Sequence, residues 1–280
     1  MNYDLQTISP QWRWLDQTRF GPAFDALQSF AYDDTFCTLI GQKQAIPLVR
    51  TWVHHDTVVL GIQDTRLPAV EAGCSYLEEQ GYRVIVRNSG GLAVLLDSGI
   101  LNISLLLPEI KGMTIDAAYE QMYSTIKELL ADYERPIQAY EIVGSYCPGS
   151  YDLSIDGKKF AGISQRRIRG GIAVQIYLCV EGSGSGRAAL LRDFYHLAVP
   201  ETNPSVDYPL IQPATMASLA ELLDSGLTVA GLNERLLHLL QQKVDVHPHL
   251  SSTEETALFS TNYERIASRN EKRLTQKGMN

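Results

Sequence analysis

Between Pro22 and about Gln42, Phe24, Leu27, Phe30 and Ala31 recur at helical spacing, which predicts a helix opening the domain. Leu48–Val53 and Thr57–Ile62 are short apolar runs on either side of His54-His55-Asp56 and read as a hairpin. A helix is expected from Pro68 to Gly81, with proline at its start and glycine at its end. Tyr82–Arg87 then reads as a strand leading into Asn88-Ser89-Gly90-Gly91. Leu92–Leu96 and Ile100–Leu107 suggest a second hairpin around Asp97-Ser98-Gly99. Ala118, Met122, Ile126 and Leu129 form one stripe of a helix over Thr114–Tyr133, followed by a strand near Tyr140–Val143.

Asp156-Gly157 between Tyr151–Ile155 and the run from Lys158 is a strong two-residue hairpin signal. Gly170-Gly171 marks another, returning as Ile172–Val180. Gly182-Ser-Gly-Ser-Gly186 reads as a short flexible connection. Beyond it the pattern turns helical over 187–198, 214–223, 228–244 and 252–273. Strands up to Val180 and helices after it make an α+β plan.

The 280 residues are 45% hydrophobic, enough for a full globular core. A net charge of −8 argues against general nucleic-acid binding. No apolar run approaches the ~18 residues of a membrane span, and the polar N-terminus lacks the pattern of a secretory signal. A cytoplasmic protein with reduced cysteines is expected.

Cys37, Cys74 and Cys179 lie in helical or apolar strand patterns and read as packed. Cys147 differs, because Gly144-Ser-Tyr-Cys-Pro-Gly-Ser-Tyr151 would hold its thiol at an exposed turn. On its own a loop cysteine is more often inert than reactive. Lys159 follows a dozen positions later, across the tight hairpin, where strand geometry could bring ammonium and thiol together and favour a thiolate nucleophile. Gly90 and Gly91 could let backbone N–H groups approach a ligand, or simply form a turn. Lys158, Lys159, Arg166, Arg167 and Arg169 carry no acid between them and read as a solvated face or a dock for an acidic partner. His247-Pro-His249 has no third ligand nearby, and no metal site is expected.

Arg87-Asn-Ser-Gly-Gly-Leu-Ala-Val94 and Gly157-Lys-Lys-Phe-Ala-Gly-Ile-Ser-Gln165 together resemble the two signatures of the lipoate-protein ligase and octanoyltransferase superfamily. There the first usually reads Arg-Arg-x-Ser/Thr-Gly-Gly-Gly-x-Val-x-His-Asp, and the second centres on a lysine three residues before a Gly or Ser, here Lys159 ahead of Gly162. Asn88, Leu92 and Leu96 depart from the first signature at positions that help the ligases hold an acyl-adenylate, which discourages an ATP-using reaction. The cysteine placed before the lysine strand is similar to the amidotransferase branch.

The resemblance implies a mixed or antiparallel sheet flanked by helices, the biotin/lipoate-protein ligase catalytic fold, over residues 20–250, with 251–280 a helical extension. It implies transfer of an octanoyl or lipoyl group, without a cofactor, from the glycine cleavage H protein to E2 lipoyl domains of 2-oxoacid dehydrogenases. The implied catalytic residues are Cys147, which forms a thioester, and Lys159, which keeps the thiol ionised. Arg87, Ser89, Gly90, Gly91, Leu92, Gly162 and Ser164 would bind the acyl substrate. The competing readings are an octanoyltransferase fed by acyl carrier protein, an ATP-dependent ligase, and a non-catalytic lipoyl-domain binding module.

Overall fold

The computed structural model describes residues 4–88, 90–200 and 207–275. In chain order the strands are Gln11–Gln17 (β1), Leu48–Trp52 (β2), Thr57–Leu60 (β3), Arg83–Val86 (β4), Val94–Leu96 (β5), Ile100–Pro108 (β6), Gln138–Ala139 (β7), Asp152–Ile155 (β8), Lys158–Ile168 (β9), Gly171–Cys179 (β10) and Asp245–Pro248 (β11). The helices are Leu5–Ile8 (α1), Ala26–Gly41 (α2), Val70–Glu79 (α3), Ile115–Leu129 (α4), Gly184–Ala198 (α5), Leu219–Leu222 (α6), Val229–Lys243 (α7) and Thr253–Thr275 (α8).

An eight-stranded mixed sheet runs in the order β11-β1-β2-β6-β10-β9-β8-β7, and a smaller sheet runs β4-β3-β5. Residues of β6 and β10 alternate between two cores. Ile103, Leu105, Val174 and Ile176 meet Met122 and Ile126 of α4 and Leu232 and Leu236 of α7. Leu106 and Ala173 meet Phe36 and Ile40 of α2 on the other face. A third core joins the small sheet to α3 and α5 through Leu60, Leu77, Leu191 and Phe194. Each such side chain contributes roughly 1.5–3 kcal/mol by leaving water. Because α2 lies between the large sheet and α8, nearly all its faces are buried, so its apolar pattern is less one-sided than that of α4.

Neither of the first two expected hairpins forms. A strand has only two edges, and β2 gives both to β1 and β6, so β3 joins β4 and β5 instead. Likewise β6 is paired with β2 and β10, which leaves β5 in the other sheet. The hairpins after Ile155 and Ile168 are as expected, with Asp156, Gly157, Arg169 and Gly170 all at positive φ.

The strand expected at 140–143 stops at Ala139, because the Asp152 carboxylate captures the Ile142 N–H at 3.2 Å and draws the chain out of the ladder. Residues 182–186 are not a free linker, since Ser183 caps α5 and the Gly184 N–H donates to Glu221. The C-terminal part is not wholly helical either: β11 pairs in parallel with β1, a strand the helical patterning around Pro22 overlooked. Among the described residues no helix is long and apolar enough to cross a membrane.

Candidate active site

Cys147 lies in the loop between β7 and β8 with φ +44°, a left-handed conformation uncommon for a residue with a side chain. Asp152, at the start of β8, organises that loop. Its carboxylate accepts the N–H groups of Ile142 and Gly149, each at 3.2 Å, and pairs with the Lys159 ammonium at 2.8 Å. Both members of the pair are buried. Burial pushes the Asp152 carboxyl up, while Lys159 and the backbone donors pull it down. Lys159 completes the loop by donating to the carbonyls of Tyr146 at 2.9 Å and Cys147 at 3.0 Å, and to Ser145 Oγ at 3.2 Å.

The ammonium is therefore spent on backbone carbonyls and a carboxylate. The hydrogen bonds to the Cys147 sulfur come from elsewhere: the Leu92 N–H at 3.2 Å and Arg87 Nη2 at 3.4 Å. This revises the sequence expectation of an ammonium held against the thiol. Arg87 is only 8% exposed, its Nη2 also donates to the Leu92 carbonyl, and its Nε is buried with no partner. Among the described residues it has no carboxylate partner.

Gly91 sits at φ +97°, and a Cβ there would lie 2.3 Å from Arg87 Nη2 and 3.2 Å from Cys147 Sγ. Only glycine lets the guanidinium and thiol meet across this loop. Behind it, Ala93 N donates to the Tyr195 hydroxyl at 3.2 Å, which donates to Asp64 at 2.8 Å, and Asp64 accepts Gly61 N at 2.7 Å. Burial pushes the Asp64 carboxyl up despite those donors.

The thiol opens on a cavity of about 340 Å³ between the two sheets, lined by apolar side chains such as Phe30, Val59, Val94, Leu96, Ile163 and Ile176. Polar groups enter it from Gln175, Asn102 and Ser164, and the Ser164 hydroxyl donates to Gln175 Oε1 at 3.3 Å. This is a small-molecule site of mostly apolar lining with a few placed polar groups.

Of the residues read from sequence, Cys147, Lys159, Arg87, Gly90, Gly91, Gly162 and Ser164 all line this cavity, and Leu92 meets the sulfur through its backbone. Ser89 falls outside the described residues. Cys37, Cys74 and Cys179 are buried, as expected. The basic hairpin is not a continuous charged face: Arg166 pairs with Asp34, Arg167 with Glu109 at 2.7 Å, and Lys159 with Asp152. His249 is bonded to Glu255 at 2.8 Å, and no metal-binding cluster occurs among the described residues.

Sequence reasoning missed Asp152. The signal was present in the hairpin. Ser154 opposes Lys159, and alternation along β8 puts Asp152 on the Ser154 face, with a register shift between Leu153 and Ser154 that sets Asp152 opposite Gly162.

Residues 25–241 match the lipoyl protein ligase A/B catalytic domain. The chain is 53% identical over 265 residues, 94% of its length and 96% of the relative's, to the octanoyl-GcvH:protein N-octanoyltransferase of Anoxybacillus flavithermus. It is 48% identical to the lipoyl-GcvH:protein N-lipoyltransferase of Listeria monocytogenes, covering 94% of this chain and 96% of that one. A crystal structure of lipoate-protein ligase A bound with ATP superposes with a TM-score of 0.67 at 18% identity, covering 92% of this chain and 95% of that one, a likeness of fold alone.

Proposed function

The chain belongs to the lipoyl protein ligase A/B catalytic-domain family, and from that premise we propose that it is an acyltransferase working through a thioester on Cys147. In this reading it takes an octanoyl or lipoyl group from the lysine of the glycine cleavage H protein, the donor in its relatives' names. It delivers that group to the lysine of E2 lipoyl domains. The observation that carries the reading is a half-buried thiol on an apolar cavity, with a backbone N–H and a guanidinium outside any direct ion pair donating to its sulfur.

Cys147 sulfur attacks the carbonyl carbon of the acyl-lysine amide. The C–N bond then breaks, the proton of the thiol ends on the departing lysine amine, and an acyl thioester remains. The acceptor lysine attacks that thioester, the C–S bond breaks, and the thiol is restored. An amide is exchanged for an amide, so no nucleotide is consumed. The Leu92 N–H and Arg87 favour negative charge at the sulfur and beside the attacked carbonyl. Lys159 and Asp152 hold the loop that presents the thiol, a positioning role. Burying the acyl chain contributes about 0.8 kcal/mol per CH₂, so cavity length selects chain length. The reading sets the reaction in the cytoplasm, where the thiols stay reduced.

The test is intact-mass spectrometry after mixing the protein, in parallel, with octanoylated H protein, octanoyl-acyl carrier protein, and octanoate plus ATP. The expected result is an octanoyl adduct on Cys147 from H protein without nucleotide, discharged by a lipoyl domain. A faster adduct from acyl carrier protein, or one that requires ATP, would overturn the assignment of donor.

A further inference from the structure

The strand that delivers Arg87 is the outer strand of its sheet, since β4 pairs only with β3. Its free edge is met by α8. Asn270 Oδ1 accepts the Val86 N–H at 2.7 Å, and Arg273 Nη1 donates to the Arg87 carbonyl at 2.9 Å. Further along, Arg265 Nη2 donates to Asp34 Oδ2 at 2.7 Å, and Asp34 accepts Asn88 Nδ2 at 3.3 Å. Asn262 Nδ2 reaches Thr35 Oγ1 at 3.0 Å and Tyr263 the Asp25 carboxylate at 2.9 Å, fastening the helix to α2. Residues 86, 87 and 88 are thus each gripped, directly or through Asp34, by a side chain of α8.

An edge strand with unsatisfied backbone groups would leave the Arg87 backbone free to shift. The guanidinium is in turn held to the sulfur by a single bond of 3.4 Å. Hydrogen bonding weakens steeply with such displacement.

We propose that α8 is a strap that sets the reactivity of Cys147 by positioning Arg87, with Asn270 and Arg273 as the positioning residues. The proposal takes Cys147 as the nucleophile of the reading above. Its test reads the thiol directly, so it stands or falls whichever carrier proves to be the donor.

The experiment follows alkylation of Cys147 by iodoacetamide in the full-length protein from neutral to alkaline pH, alongside the unfolding temperature. Asn270→Leu and Arg273→Met are each expected to slow alkylation at neutral pH roughly five-fold, the equilibrium effect of one lost hydrogen bond. Asn270→Asp keeps an acceptor for the Val86 N–H and is expected to retain the wild-type profile. In an Arg87→Leu background neither substitution should slow alkylation further, because its effect passes through the guanidinium. Arg273→Met alters a half-buried side chain near the end of the helix, so it keeps the test available if Asn270→Leu does not fold. An unchanged alkylation profile with a lowered unfolding temperature would make α8 a purely structural element. Equal slowing with and without Arg87 would overturn the route proposed here.

Discussion

Cys147 and Cys179 have the same immediate chemistry, a sulfur accepting a hydrogen bond from an arginine, yet their surroundings are opposite. Arg187 Nη1 reaches Cys179 Sγ at 3.0 Å, closer than Arg87 comes to Cys147. But Arg187 gives Nε and Nη2 to the Asp97 carboxylate, both at 2.7 Å, and its pull on the thiol is outweighed by burial. Cys179 is also fully buried in β10, and burial pushes its thiol up to about 11. Arg87 makes no direct ion pair among the described residues, although its charge lowers the buried Asp64 carboxyl, and the Cys147 sulfur opens on the cavity. An arginine beside a cysteine does not make a nucleophile. On the reading proposed above, an arginine outside any direct ion pair and a path for the substrate would do so.

The comparison breaks most sharply by deleting each sulfur in turn. Cys147→Ala should abolish transfer, a loss of at least ~10³-fold, with little change in unfolding temperature because the thiol packs only in part. Cys179→Ala should keep most activity and lose about 1–2 kcal/mol of stability through the cavity left in the core. Initial rates of transfer and denaturant unfolding of both variants decide the matter; substantial activity in Cys147→Ala would end the thioester mechanism.

A second experiment removes the anchor that only the Cys147 loop requires. Asp152→Ala leaves the Lys159 ammonium buried without its carboxylate, a change that typically costs about 3–5 kcal/mol. It also frees the N–H groups of Ile142 and Gly149. A urea midpoint lowered accordingly, with slower acylation of Cys147 in whatever protein remains folded, is expected. A loss below ~1 kcal/mol would show that the pair does not organise the loop.

The smallest effect concerns alkaline pH. The Cys179 thiol stands at about 11 in the folded protein against an ordinary 9.0, so above pH 9 the unfolded chain loses its proton first. The stability held by the neutral buried thiol is therefore complete below pH 9 and drains away as pH rises toward 11. The total is on the order of 3 kcal/mol. Cys179→Ala should flatten the fall in stability over this interval relative to wild type. Equal slopes for wild type and Cys179→Ala would mean that Cys179 is not held neutral by burial.

Much of this site was legible before any coordinates. The loop character of Cys147, the Asp156-Gly157 turn that brings Lys159 back beside it, and the Gly90-Gly91 pair are local signals, set by backbone sterics over a few residues. The same alternation rule could have placed Asp152 on the Lys159 face. Which cation touches the sulfur was not legible, because Arg87 lies 60 positions from Cys147 and reaches it only through the packing of Gly61 against Gly91. The false hairpins at 48–62 and 92–107 have the same origin: neighbours in sequence pair only if both edges are free, and β2 and β6 had given theirs to distant strands.

The sequence by itself therefore determined the strands and helices with strong periodicity, the tight turns, the buried placement of three cysteines and the two motifs that carry the resemblance. These rest on short-range preferences and hydrophobic spacing, which each segment carries with it. Tertiary structure alone decided strand partners, the division into two sheets with a mostly apolar cavity between them, and the exchange of roles in which Lys159 braces the loop while Arg87 meets the thiol. Those depend on which buried polar group finds which partner. A buried charge can be satisfied by any suitable group that packing brings near, so its partner cannot be read from its own stretch of chain.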